Sequence, residues 1–255
     1  MKASAKKTPH PSPPILGAHD VAETVARLNG LREKCLTRDH HRCVITGIFD
    51  LNEARARTKR DGAGAKDDDK HFLSEETKDP KLLQVAHIIP HSLMSSSGQL
   101  ESKKNACKIL NMFDDGVLRL IEGVDIDRPA NALTLTAGFH QLFGEFEIYF
   151  EPTSGAQTSP TYTIHQTVPV SFASQTFPVT RTLLDTDKTI DLPSPRLLAI
   201  HRAIALILDL SGAGEYIDCI LKDMDYAMVK SDGTTELGHL VSLRLGGWWD
   251  GIAVY

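Results

Sequence analysis

The four cysteines, Cys35, Cys43, Cys107 and Cys219, include no Cys-x-x-Cys pair. That spacing excludes a four-cysteine zinc knuckle. Nothing marks a secreted disulfide framework, so reduced thiols inside the cell are expected. No apolar run approaches the roughly 18 to 20 residues of a membrane span. Excess positive charge is missing too. Against 28 Lys and Arg stand 33 Asp and Glu, for a net charge of −5 and an isoelectric point near 6.1. Gripping nucleic acid over a broad face needs clustered cations, so that task has little support from bulk charge. No internal repeat is present.

What remains is ordinary for a globular chain: 255 residues, 41% hydrophobic and 24% charged, enough for a sizeable core. Residues 1–18 read as a Pro-rich, weakly basic tail with no apolar stretch behind it, hence no signal peptide. The expected location is intracellular, in cytoplasm or nucleus. Three local basic groups offset the acidic balance. Arg32, Lys34, Arg38 and Arg42 form one, Arg55, Arg57, Lys59 and Arg60 another, and Lys103, Lys104 and Lys108 the third. Arg38 and Arg42 are the candidates for nucleic-acid binding.

Along the chain, Val21, Val25, Leu28 and Leu31 recur at helical spacing behind Asp20 as cap, predicting a helix from Asp20 to about Leu36. His41 to Asp50 reads as a short strand, a turn at Thr46-Gly47 and a continuation. Residues 52–80 are polar, with a Gly/Ala/Asp-rich centre, and are expected to be a loop or disordered insertion. Leu82 to Pro90 is a short apolar run closed by proline, hence a buried strand. A helix is expected between Asn105 and Leu120, ending near Asp114-Asp115-Gly116, and a turn at Asp127-Arg128-Pro129. Asn131 to Phe146 begins extended and turns helical, with Phe139, Leu142 and Phe143 on one face. Two strands follow, in EIYFEP and PTYTIHQTV, and a third strand region in 168–184. Ser194-Pro195 opens an apolar helix, and a second is expected over Glu215 to Val229. The organisation is thus a tail (1–18), an α+β domain (19–192) with a polar insertion (52–80), a helical pair packed on it (193–230) and a terminal segment (231–255).

One constellation carries chemistry. His87 stands in a strand, Asn131 opens an extended segment, and His140 follows nine residues later at a helix start. The order A-H-I-I-P (86–90), then N-A-L-T-L-T-A-G-F-H (131–140), resembles an HNH nuclease motif of the fungal type. The flanking R-D-H-H-R-C-V-I-T-G, F-G-E-F-E-I-Y-F-E-P, S-P-R-L-L-A-I-H-R-A and S-G-A-G-E-Y-I-D are similar to segments around it in such proteins. The resemblance implies an α+β fold with a ββα-metal (HNH) core, added strands and a C-terminal helical pair. It implies metal-dependent hydrolysis of phosphodiester bonds in DNA or RNA, DNA being favoured. His87 would be the general base, because a neutral imidazole suits proton abstraction near pH 7. His140 would be a metal ligand, since a cation offsets charge developing at the phosphate. Asn131 would brace the loop or orient His87.

Two departures stand out. The residue before the base, often acidic or histidine and a ligand, is Ala86. The paired cysteines that often flank the last histidine are absent, with Thr136 and Phe139 in their places. A divalent metal (Mg, Mn, Ni or Zn) would therefore need another ligand: His91 first, then Asp50, Asp114, Asp115 or Glu145. Two alternatives accompany the nuclease: a degenerate fold doing acid–base chemistry of the cyclase or isomerase type on a small molecule, or a non-catalytic binding module.

Overall fold

A computed structural model describes residues 18–90, 100–153, 160–167, 177–183 and 189–211. The tail, the expected helix over 215–229, the segment 231–255 and much of 168–188 lie outside the described residues. The fold mixes helices and strands, as an α+β protein does.

Two short strands and a helix form its centre. β1 (Leu83–His87) pairs antiparallel with β2 (Ala132–Thr136), from Leu83 opposite Thr136 to His87 opposite Ala132. All five residues of β2 are buried. A strand covered on both faces reads as an apolar run, which is what Ala132-Leu133-Thr134-Leu135 provides. The helix labelled α4 (Ala137–Gly144) leaves β2 directly and packs on both strands. The apolar face expected from Phe139, Leu142 and Phe143 is the one it buries.

The N-terminal helix, α1 (Ala18–Arg38), lies across the hairpin, where Leu31 and Cys35 pack with Val85 and Ala132. Burial pushes the Cys35 thiol up to about 12, which makes it inert packing. Arg42 to Phe49 then forms a tight reversal, with Gly47 at φ +70°, and Val44 N–H donates to Thr134 O at 2.9 Å.

The polar stretch after Asp50 is not the expected loop. It contains α2 (Leu51–Asp61). Buried Asp50 accepts from Glu53 N–H at 3.0 Å, capping the helix, and from Leu83 N–H at 3.1 Å, tying that cap to β1. Glu53 supports the helix again through Arg57 one turn on, at 2.7 Å. Charge partners hold this helix where an apolar stripe would normally do so, which is why periodicity missed it.

A longer helix, α3 (Leu100–Phe113), follows, with three 3₁₀ turns after it: Val117–Leu120, Gly123–Asp127 and Pro129–Asn131. A second sheet is a meander of β3 (Ile148–Pro152), β4 (Thr161–Gln166) and β5 (Val179–Thr182). Its buried face, Ile148, Phe150, Tyr162 and Ile164, joins the same core as the hairpin. The last described helix, α5 (Pro195–Ser211), covers β3 with Leu197, Leu198, Ile200 and His201 buried.

His201 locks α5 to the end of α4. Its ring stacks on Phe143 (3.8 Å, 5°) and Phe146 (4.7 Å, 28°), and Nε2–H donates to Phe143 O at 2.9 Å. Burial drives its pKa down to about 4, only partly opposed by that carbonyl. The folded chain keeps His201 neutral while the unfolded chain protonates it below about 6.5. The unfolded state therefore binds more protons, and stability falls as pH drops from about 6.5 to about 4. The loss is on the order of 3 kcal/mol. Thermal melts at pH 7.5 and 4.5 check this: His201→Leu should start lower at pH 7.5 and show a smaller acid drop than wild type.

Candidate active site

Asn131 is 0% exposed and acts as a clamp. Its Oδ1 accepts from Ile89 N–H at 2.9 Å, and its Nδ2 donates to Ile89 O at 3.0 Å and Ile126 O at 2.9 Å. Its own carbonyl accepts from Ile88 N–H at 2.8 Å. The chain just after His87, the turn ending at Asp127 and the start of β2 are thereby fixed to one another. An amide is suited to this because it both donates and accepts.

That clamp sets the surroundings of His87. Its Nε2 lies 3.1 Å from Asp127 Oδ1, and the Asp127 side chain is 3% exposed. The other carboxylate oxygen lies 3.4 Å from Arg27 Nε, on α1. His140 projects from α4, with Nδ1 2.6 Å from Gln84 Oε1. An amide oxygen accepts, so Nδ1 carries the proton and Nε2 the lone pair. Burial, and then the neighbouring His87, lowers the pKa of His140. The two histidines stand on elements packed together, β1 and α4, and each is oriented by its own partner.

Ala86, directly before His87, is 1% exposed and part of the core. Strand alternation puts it on the same face as Gln84, the residue that meets His140. The position that would supply a ligand is a sealed methyl group. Of the other expected ligands that lie among the described residues, none joins this pair. Asp50 caps α2. Asp114 makes a two-pronged pair with Arg196 at 2.6 Å on each arm, and the Asp115 carbonyl accepts from the same guanidinium. Glu145 accepts from Gln141 at 3.1 Å. His91 lies outside the described residues. A divalent ion takes four or more ligands, and His140 Nε2 is one donor. The described residues here do not make a metal site on their own.

A second group of donors, Asp67, Asp69 and His71, has ligand atoms within 4.8 Å of one another. It belongs to an ion-pair network: Asp67 pairs with Arg42 at 2.7 Å, Asp68 with Arg57 at 2.8 Å and Asp69 with His40 at 3.1 Å. Desolvation opposes the shift, but the Arg42 pairing and the His71 N–H hold the Asp67 carboxyl below the usual carboxylate range. This stretch, part of the polar segment expected to be a loop or disordered insertion, is an organised turn.

The two arginines expected to bind nucleic acid are both engaged within the fold. Arg38 is 1% exposed. It forks onto Asp39 at 2.8 Å and donates to Pro129 O, Ala132 O and Asp191 O. Arg42 donates to Gly47 O, Asp67 and Glu76 and lies over the Phe49 ring. Both guanidiniums are committed to the fold rather than presented to phosphates. The neighbour of His87 that sequence reasoning missed is Asp127. The one available signal was its place four residues before Asn131, in a segment read only as a turn.

Replacing Asn131 by Ala would leave the Ile89 amide and carbonyl and the Ile126 carbonyl buried without this partner. Each such group costs about 1–3 kcal/mol. Urea unfolding of Asn131→Ala should show a stability loss of about 3 kcal/mol or more, with an unchanged m-value.

Comparison with known proteins bears on the same residues. Residues 43–151 match a family model described as HNH endonuclease. No curated protein and no solved structure matches the chain. The matched span takes in His87, Asp127, Asn131 and His140, while α1, β4, β5 and α5 fall outside it. The chain therefore carries an HNH endonuclease family domain over residues 43–151.

Proposed function

We propose that this domain hydrolyses phosphodiester bonds of nucleic acid, DNA foremost, with His87 as the general base. The observation that carries the reading is that His87 on β1 and His140 on α4, the helix packed on that strand, belong to one strand–strand–helix unit inside a segment of the HNH endonuclease family. It is the arrangement a ββα-metal unit would present.

The roles follow from the groups. His87 takes a proton from water as that water attacks phosphorus, a step in which a positioned base contributes about 10² to 10⁴ in rate. Asn131 acts through backbone hydrogen bonds, holding the end of β1 against the turn that bears Asp127. HNH domains typically use a divalent metal. His140 Nε2 is the donor this chain would offer to such an ion, which would supply positive charge beside the phosphate. His140 is neutral at pH 7 because burial disfavours its charged form, which suits a ligand and excludes it as a cation for phosphate. The groove between α3 and α5, lined by Phe113, Arg196, Ile200 and Ala203 among others, has neither histidine in its walls. Nothing there favours small-molecule chemistry at His87.

A second reading, a binding module without hydrolysis, is favoured by one observation: the buried methyl of Ala86 where a ligand would stand. One assay separates the two. Supercoiled plasmid, single-stranded DNA and RNA are incubated with the protein in Mg²⁺, Mn²⁺, Ni²⁺, Zn²⁺ or EDTA, with His87→Ala and His140→Ala as controls. The nuclease reading predicts nicking that falls about 100-fold or more in His87→Ala and that requires metal through His140. Wild-type protein inert under every condition, or cleavage unchanged in His87→Ala, contradicts it.

A further inference from the structure

We propose that Asp127 sets the tautomer of His87 and that Arg27 fixes Asp127, so that the lone pair of the base stands on Nδ1. The inference rests on the hydrolase reading above and deepens it by naming the residues that aim the base. Asp127 and Arg27 are positioning residues, acting through His87.

An ionised carboxylate only accepts hydrogen bonds. Asp127 Oδ1 lies 3.1 Å from Nε2 of His87, so Nε2 is the protonated nitrogen and Nδ1 the basic one. Three independent features hold the carboxylate there. It ends the 3₁₀ turn Gly123–Asp127, which opens on the left-handed Gly123 (φ +59°). Asn131 pins that turn through Ile126 O at 2.9 Å. Arg27 places its Nε 3.4 Å from Oδ2. Arg27 comes from α1, which precedes the matched family segment, so this chain builds the support of its base partly from outside that segment.

The bland alternative is a buried ion pair that merely staples α1 to the turn. The two differ in what an amide would do at position 127. In Asp127→Asn, Arg27 faces the place of Oδ2 and attracts the amide oxygen. That turns the NH₂ group toward His87. The NH₂ can only donate, so Nε2 must accept and the ring proton moves to Nδ1. The base then presents its lone pair to the wrong side. A staple predicts lost stability in this variant but no change of tautomer.

The test combines two readouts on the full chain. Long-range ¹H–¹⁵N spectra of the imidazoles, taken where His87 is neutral, report which nitrogen carries the proton. Plasmid nicking reports kcat and KM. The relay predicts the Nε2–H form in wild type and the Nδ1–H form in Asp127→Asn. It also predicts a kcat at least about 100-fold lower with KM within about threefold. Asp127→Glu should recover much of the rate. Adding Arg27→Gln to Asp127→Asn should restore part of the Nε2–H form, because the amide is then free to turn. A folded Asp127→Asn protein with the wild-type tautomer and rate overturns the relay. If wild type does not cleave while the tautomer still switches, the hydrolase reading fails and the relay stands.

Discussion

The structure hangs on the buried amide of Asn131. β1 and β2 are adjacent in space but far apart in sequence, and α3 and three 3₁₀ turns lie between them. Closing such a long connection carries an entropic cost that local propensity does not offset. The Asn131 side chain and carbonyl together engage Ile88, Ile89 and Ile126. Each is a backbone group that would otherwise be buried without a partner. One residue thus closes the connection, ends β1 just after His87 and seats the turn that ends in Asp127. The surroundings of His87 and the stability of the fold thus depend on the same side chain.

Charge is spent inward in this protein. Arg38 binds Asp39 and three carbonyls. Arg42 and Arg57 meet Asp67 and Asp68 in the turn beside them, and also Glu76 and Glu53. Buried guanidiniums of this kind must be fully hydrogen-bonded to be tolerated. The net charge of −5 is therefore not masking a basic face at Arg38 and Arg42.

Much of the fold was legible because its elements declare themselves by apolar pattern. β2, α4 and α5 combine a run or stripe of Leu, Ile and Phe with clear start signals, and they lie where the sequence puts them. The histidines were legible by order alone. What stayed hidden depends on partners remote in sequence. The α2 helix is held by a cap that also reaches β1, and by ion pairs rather than an apolar face. Asp127 gains its role from His87, forty positions away, and from Arg27. Arg38 looked like a surface cation beside other cations, and only the loop folded over it reveals the carbonyls it satisfies. The methyl of Ala86 was visible as a departure, but its burial on the Gln84 face was not.

The central claim is that His87 supplies the base. Chemical rescue tests it most directly: cleavage by a folded His87→Gly variant is followed as imidazole is added. The account predicts activity that is nearly absent without imidazole and rises with its concentration, while the same additive leaves His140→Gly unrescued. Cleavage by His87→Gly at the wild-type rate, or a folded variant that no concentration of imidazole restores while wild type remains active, would contradict it.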